Sequence, residues 1–357
     1  MKTEITAFDL HFLVRELQAL VGQRLDKIYI LDERNILLTF GNKQLLQAAP
    51  GQCWMPLQRP ETPEQIHPFA AQLRKLIGNS KIIKIEQVCS ERILSIHTER
   101  SSKQFVLYLE IFARGNAVIC SGNNLVINAL AINQRVQRGK PYQLPDSIDT
   151  FHLSEQDFAL RFAQSTDNVS KTLAVQFGLG KVLAEELCVR TGVPATDKAT
   201  PEHAQDVYPV LKLLLAQQLK PQLIYEDGRL VDATPISLQC YANKKRENTE
   251  GFGASLARVF ALPAEAVKEH KLSPVTQKLK KIETMISLQQ KRLAELERQA
   301  AAEHKKGEYL YEHYQDIKKL LDEIKAAKEK LSWKEVKEKI KQMREIDEAT
   351  GNVVVDV

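Results

Sequence analysis

Between Val275 and Ala300 apolar residues recur at alternating four- and three-residue spacing: Val275, Leu279, Ile282, Ile286, Leu293, Leu296 and Ala300, with Gln289 as one polar interruption. That is an a/d seam sustained for three to four heptads, and such a seam needs a second helix to cover it. The spacing repeats beyond Gly307 in Leu310, Tyr314, Ile317, Leu321, Ile324, Lys328 and Leu331. The C-terminal quarter is therefore predicted to be a helical arm. Its seam is covered by the stretch after Gly307 folding back, by a returning helix, or by a second copy of the chain in a homodimer. Ser332-Trp333-Lys334-Glu335 reads as a capping box for a further helix through Val336, Ile340 and Met343. Asn352 to Val357 reads as a strand with no successor, which makes the chain read as part of something longer.

The arm also holds the basic surplus. Residues 271–345 carry 19 Lys and Arg against 13 Asp and Glu, whereas the rest of the chain carries 31 against 32. A mixed-charge helix face is usually a solvated one, and nucleic acid is the main alternative. The 27% charged and 43% hydrophobic residues exclude wholesale disorder and collagen-like repeats, and 357 residues allow two or three domains. No apolar run approaches the roughly 18–20 residues of a membrane span. Met1 to Ile5 lacks the basic-then-apolar order of a secretory signal. Cys53, Cys89, Cys120, Cys188 and Cys240 lie far apart with no CxxC, which argues against disulfides and structural zinc and for the reducing cytoplasm.

The N-terminal half alternates between two periods. Leu10, Leu13, Val14, Leu17, Leu20 and Val21 predict a helix over 6–21, with Thr6 and Asp9 in the positions of a capping box. Two-residue alternation then predicts strands at Ile28 to Ile30, Ile36 to Phe40 and Leu45 to Ala48, the last two joined across Gly41-Asn42. Pro68 opens a short helix that Gly78-Asn79 closes. Strands follow at Ile82 to Val88, Ile93 to Thr98, Phe105 to Phe112, Ala117 to Cys120 and Leu125 to Ile132. Together these predict an α+β region with a twisted antiparallel sheet and few covering helices.

From Ser154 to about Leu219 the pattern is helical. Within it, Leu173 to Ala184 reads as helix, Phe177-Gly178-Leu179-Gly180 turn, helix, which fits a helix-hairpin-helix. Gly178, Gly180 and Lys181 would leave amide groups at a helix N-terminus where a phosphate can sit, although many such hairpins only pack. Residues 222–240 return to strands with Asp227-Gly228 as a turn, and Asn243 to Gly253, with Lys244-Lys245-Arg246, reads as a mobile polar loop or as a basic loop that touches RNA.

Motifs for bond chemistry are absent: no GxGxxG, no GxxxxGK[ST], no HExxH and no GxSxG, and the eight histidines are scattered. A binding protein that needs no cofactor or metal therefore outranks an enzyme. Some polar residues do sit among apolar neighbours: Arg74, Glu91-Arg92, Glu110, and the closely following Arg114-Gly115-Asn116. They form either a structural ion-pair network around a turn or a groove in which acids hold arginine forks against RNA phosphates.

At these residues the chain resembles a known family. Phe8-Asp9-Leu10, Pro68-Phe69-Ala70-Ala71-Gln72-Leu73-Arg74-Lys75, Glu91-Arg92-Ile93 and Leu109-Glu110-Ile111-Phe112-Ala113-Arg114-Gly115-Asn116 occur in that order, ahead of the glycine hairpin and the basic helical arm. This is similar to the NFACT family: RqcH of bacteria and archaea, NEMF of eukaryotes, and proteins once called fibronectin-binding protein A. The resemblance covers the whole chain but not the family's C-terminal NFACT-R domain.

It implies an NFACT-N domain, with a sheet like that of the N-terminal part of formamidopyrimidine-type DNA glycosylases, in residues 1–150 and 221–265. A helix-hairpin-helix domain in 151–220 interrupts it, a coiled-coil middle domain follows in 266–345, and 346–357 begin a further strand segment. It also implies a ribosome quality-control factor that binds the obstructed large ribosomal subunit through rRNA and protein. Such a factor recruits tRNA, alanyl-tRNA above all, and supports mRNA-independent tailing of the stalled chain. The tRNA-binding residues carry over to Asp9 and Arg92, with Glu91 in place of the family's Asp; the groove reading adds Arg74, Glu110, Arg114 and Asn116. Asp9→Ala and Arg92→Ala are then both expected to weaken tRNA binding with little change in stability. A glycosylase-like enzyme and a fibronectin-binding adhesin are the alternatives. Against the first, Met1-Lys2 stand where a glycosylase has Pro-Glu.

Overall fold

The computed structural model describes residues 1–112, 114–260 and 274–329, together with 333, 335–336, 343–347 and 352–355. The chain divides into two compact units, residues 1–264 and 265–357.

The first unit opens with α1 (Ala7–Leu17), where Thr6 and Asp9 form the expected reciprocal capping box. The strands β1 (Arg24–Asp32), β2 (Asn35–Phe40), β3 (Leu45–Ala49) and β4 (Gln52–Trp54) make one antiparallel meander. After α2 (Pro68–Ile77), a second meander comprises β5 (Ser80–Gln87), β6 (Ile93–Arg100), β7 (Lys103–Glu110), β8 (Asn116–Ser121) and β9 (Val126–Ala129). They form one nine-stranded sheet in the order β4-β3-β2-β1-β5-β6-β7-β8-β9.

The join between the meanders is narrow: β1 pairs with β5 only at Arg24–Lys81 and Leu25–Ser80. Past Leu25, helices serve the backbone groups that a neighbouring strand would have paired. Arg74 Nε on α2 donates to Ile28 O at 2.8 Å, and Gln18 Nε2, just beyond α1, donates to Ile85 O at 2.9 Å. The apolar faces of both helices (Leu10, Leu13 and Leu17; Phe69, Leu73 and Ile77) are buried in one core with Ile28, Leu38, Ile85 and Ile96.

The predicted helical stretch is α3 (Glu155–Ala163), α4 (Val169–Lys171, continued by the π-helical turn Thr172–Gln176), α5 (Lys181–Thr191) and α6 (Pro201–Ala216). Its Phe158 stacks on Phe162, and Phe177 packs at a tilt against both, inside the same core as the sheet. A small sheet ordered β11-β10-β12 follows, from β10 (Gln222–Glu226), β11 (Arg229–Thr234) and β12 (Lys245–Asn248).

β12 corrects the reading of Asn243 to Gly253 as a loop. All four of its side chains are exposed, so the stretch has no apolar alternation, yet it pairs in register with Gln222 to Tyr225. α7 (Phe252–Phe260) begins where that loop was expected to end, and Glu16 Oε2 accepts its first amides, Phe252 and Gly253, both at 2.8 Å. One turn also had no glycine to announce it: Ser101 and Ser102 both take positive φ, at 48° and 60°, and tighten the β6–β7 hairpin.

In the second unit, α8 (Pro274–Glu312) runs unbroken through Gly307, so the chain does not fold back there, and α9 (Tyr314–Lys328) follows His313. The seam residues Ile286, Leu293 and Leu296 are exposed. Met343, expected in a helix, instead opens β13 (Met343–Asp347), which pairs with β14 (Asn352–Val355); the C-terminal strand therefore has a partner before it. Ser332 and Ile340 lie outside the described residues. No helix among the described residues is long and apolar enough to cross a membrane.

Candidate nucleic-acid interface

A cleft of about 650 Å³ opens where three segments meet: Glu4 to Ala7 ahead of α1, Ser90 to Arg92 between β5 and β6, and the glycine hairpin before α5. Asp146 to Ile148 close a fourth side, with Ser90 Oγ donating to Ile148 O at 3.0 Å. The Glu91-Arg92 turn is tied down from two directions. Gln87 Nε2 donates both to Glu91 O and to Ala7 O at 2.9 Å, and Ile111 N donates to Arg92 O at 2.8 Å. Arg92 Nη1 then reaches Glu4 Oε2 at 2.7 Å and Ile5 O at 3.3 Å. This pair is open to water, the side chains being 28% and 61% exposed, so the guanidinium can exchange Glu4 for another anion.

The opposite wall is the hairpin. Gly178 (φ +65°) and Gly180 (φ +79°) turn the chain so that α5 starts at Lys181 with no side chain capping it. Its first amides are unsatisfied within the helix and carry its positive dipole end. A Cβ on Gly180 would sit 3.0 Å from Thr6 Cγ2, so the hairpin packs directly on the N-cap of α1. Gly180→Ala combines that contact with a left-handed φ. It is expected to cost about 1–2 kcal/mol, read as a lower midpoint in thermal denaturation.

Asp9 lies behind the cleft. It is 3% exposed, and its Oδ2 accepts from Thr6 N at 2.7 Å and from Thr6 Oγ1 at 2.9 Å. Its Oδ1 pairs with Lys2 Nζ at 2.9 Å, and Lys2 also meets Asp232 Oδ1 at 3.0 Å. Burial alone would push the Lys2 ammonium down, but Asp9 and Asp232 outweigh it and hold Lys2 above its usual range. Lys2 is therefore a charged brace and not a free amine. Asp9, Lys2 and Lys181 line a second cavity of about 390 Å³, which shares Glu4 and Thr6 with the cleft.

The remaining candidates lie elsewhere. Glu110 is buried, its Oε1 accepting from Tyr142 Oη at 2.7 Å and from Arg135 Nη2, while Arg135 Nη1 donates to Gln143 O at 2.7 Å. Burial and the Glu110 charge raise the Tyr142 phenol well above its ordinary range. Asn116 Nδ2 donates to Ala131 O, and its Oδ1 accepts from Ala131 N, both at 2.9 Å. These two residues thus bolt the 131–145 strap over the outer face of the sheet, and the strap runs straight into Asp146 to Ile148 of the cleft wall. Arg114 is exposed, in the turn whose Gly115 carbonyl takes Arg34 Nη1 at 2.8 Å. Arg74 is spent on Ile28 O and the Tyr29 ring.

Glu110→Ala strands the partly buried Arg135 and the Tyr142 hydroxyl. A loss of roughly 2–3 kcal/mol is expected, with new protease cuts inside 131–145, checked by melting and limited proteolysis.

Four of the predicted site residues, Glu91, Arg92, Gly178 and Gly180, therefore share one cleft; Asp9 and Lys181 stand directly behind it, and Arg74, Glu110, Arg114 and Asn116 do not line it. Glu4, Ser90 and the Asp146–Ile148 wall were not anticipated, since nothing in their spacing marks them. Among the described residues no group of three or more His, Cys, Asp or Glu could hold a metal ion.

This geometry defines a mixed α+β protein whose cleft lies between an antiparallel sheet and a helical insert with a glycine turn. The chain belongs to the NFACT family: the description "NFACT N-terminal and middle domains" matches residues 6–349.

Among its relatives, an "Archaeal Rqc2 homolog aRqcH" from Methanocaldococcus jannaschii is 26% identical, the alignment covering 99% of this chain and 58% of that protein. A "Ribosome quality control complex subunit NEMF homolog" from Drosophila melanogaster is 30% identical over 33% of this chain and 13% of its own length. The chain thus spans little more than half of the first relative.

Two solved structures share the fold. The N-terminal part of a fibronectin/fibrinogen-binding protein from Streptococcus suis has a TM-score of 0.57 at 22% identity, covering 72% of this chain and 99% of that one. A fibrinogen binding protein from Staphylococcus aureus has a TM-score of 0.57 at 20% identity, covering 71% and 98%.

Proposed function

We propose that this chain works in ribosome quality control in the cytoplasm, as an RNA-binding factor and not as a catalyst. It engages an obstructed large ribosomal subunit that still carries peptidyl-tRNA and recruits an aminoacyl-tRNA, alanyl-tRNA above all. It thereby supports tailing of the stalled chain without mRNA, and peptidyl transfer is left to the ribosome. The observation that carries this reading is the cleft in which Arg92, held by an exchangeable Glu4, shares one lining with Gly178 and Gly180 of the hairpin that leads into α5.

Arg92 offers phosphate a guanidinium fork in the cleft and, if the hairpin acts as a helix-hairpin-helix, the first amides of α5 offer donors in the adjoining cavity that Lys181, Val182 and Leu183 line. Neither reads bases, which suits recognition of a folded tRNA by shape and backbone. The basic surplus of residues 271–345 would serve rRNA phosphates in a coiled-coil arm, and the exposed seam of α8 would take a returning helix or a second copy. Positioning alone is a sufficient contribution, because aligning two tRNA ends makes the reaction effectively unimolecular. The test is to add the purified chain to stalled large subunits with peptidyl-tRNA and charged alanyl-tRNA. Elongation of the nascent chain by alanine, lost with Arg92→Ala, is the expected result; elongation that does not depend on the chain would refute the reading.

A further inference from the structure

Three cations of the first unit that lie beside the core are met by carboxylates, Lys2 by Asp9 and Asp232, Arg135 by Glu110 and Arg190 by Glu186, while Lys212 is met by the carbonyl of Phe151. Tyr29 on β1 is the site of a different arrangement. Arg74 Cζ lies 4.5 Å from its ring centroid and Arg59 Cζ lies 5.3 Å from it, with Arg59 Nη2 donating to Tyr29 Oη at 2.8 Å. The two guanidinium groups are therefore no more than about 10 Å apart. Neither forms an ion pair among the described residues, and Arg74 Nη2 has no hydrogen-bond partner. Two like charges converge on one ring with no acid between them, which costs free energy until an anion arrives.

Arg59 is exposed and also lines a groove of about 800 Å³ whose other charged residues are Lys43, Asp26 and Glu16. None of these residues lines the cleft that holds Arg92.

We propose that Tyr29, Arg59 and Arg74 form a second docking face, specific for single-stranded RNA. The backbone phosphates meet the guanidinium groups, and a base stacks on the Arg59–Tyr29 platform. Paired arginine and tyrosine planes favour this partner over an acidic protein, because every base presents a π-face and a carboxylate does not. Arg59 supplies the accessible contact. Arg74, fixed by Ile28 O from below, orients the ring and adds charge.

The test is fluorescence titration of the whole chain with a labelled oligouridylate at several salt concentrations. Arg59→Ala is expected to weaken binding roughly fivefold and to flatten the slope of log K against log salt by about 0.7, the value for one single-strand phosphate contact. Tyr29→Leu is expected to weaken binding at least about fivefold with the slope unchanged, the signature of lost stacking. Both variants should melt within about 2 °C of the parent, since Arg59 is exposed and Tyr29 only half-buried.

Wild-type affinity and slope in Arg59→Ala would overturn the proposal. So would equal losses by Arg59→Ala on polyglutamate, which would make this an acidic-protein face. The two sites separate in the same experiment. If Arg92→Ala abolishes oligouridylate binding and Arg59→Ala changes nothing, this face falls; the reverse outcome retains this face, while the cleft is judged separately by the loss of tRNA binding in Arg92→Ala.

Discussion

Arg92→Ala is expected to lower the affinity for tRNA more than tenfold while the thermal midpoint moves by less than about 2 °C. The two effects separate because the native interactions of Arg92 are weak. Its pair with Glu4 is open to water, and pairs of that kind contribute about 0–1 kcal/mol to stability. A charge-assisted bond from the same guanidinium to a tRNA phosphate is stronger, and tenfold in affinity is only about 1.4 kcal/mol. Arg92→Lys keeps the charge without the planar fork and should fall between the two. Filter binding with unfractionated tRNA, beside a melting curve, checks the result; unchanged affinity with an unchanged midpoint would remove Arg92 from the site.

Asp9→Ala should behave in the opposite way, with loss of stability as its first consequence. The family resemblance by itself implies a functional acid that can be removed at little cost to the fold. The structure places Asp9 where three roles meet: it completes the capping box of α1, accepts the Thr6 hydroxyl and shares the Lys2 ammonium with Asp232. Losing a cap partner costs about 1 kcal/mol, and breaking a buried pair costs about 3–5 kcal/mol. With Asp232 still holding Lys2, about 3 kcal/mol is expected, a midpoint lower by roughly 5–10 °C.

Any loss of tRNA binding in Asp9→Ala then passes through Thr6 and the hairpin packed on it. Asp9→Asn, which keeps an acceptor for Thr6 and removes the charge, discriminates: recovery of the midpoint without recovery of binding would show a direct role for the Asp9 carboxylate. Recovery of both would show that Asp9 supports the cleft wall.

The elements were legible where apolar residues mark a buried face or a buried run. Leu10, Leu13 and Leu17 announced α1, Pro68 and Gly78 bracketed α2, and β6 to β8 stood out as apolar runs buried on both faces. β12 was hidden because an exposed edge strand of Lys245, Arg246, Glu247 and Asn248 has no buried face to mark it. The site was legible only in part, for a different reason. Glu91, Arg92, Gly178 and Gly180 stand out locally, but what makes them a cleft is Glu4, 88 residues from Arg92, and a strap bolted by Glu110 and Asn116.

Arg74 shows the same limit. An arginine among apolar residues signals that something unusual surrounds it. Only the narrow join between the two meanders explains why β1 lacks β5 beside it at Ile28 and takes a guanidinium instead.

The measurement that bears most directly on the central claim is ultraviolet crosslinking of the protein to RNA in living cells, with both the bound RNA and the crosslinked peptides sequenced. The account predicts tRNA, with large-subunit rRNA beside it, joined to peptides that contain Glu4 to Thr6, Arg92 or Gln176 to Gly180. RNA joined only to peptides far from those three segments, or no tRNA among the bound species, would contradict it.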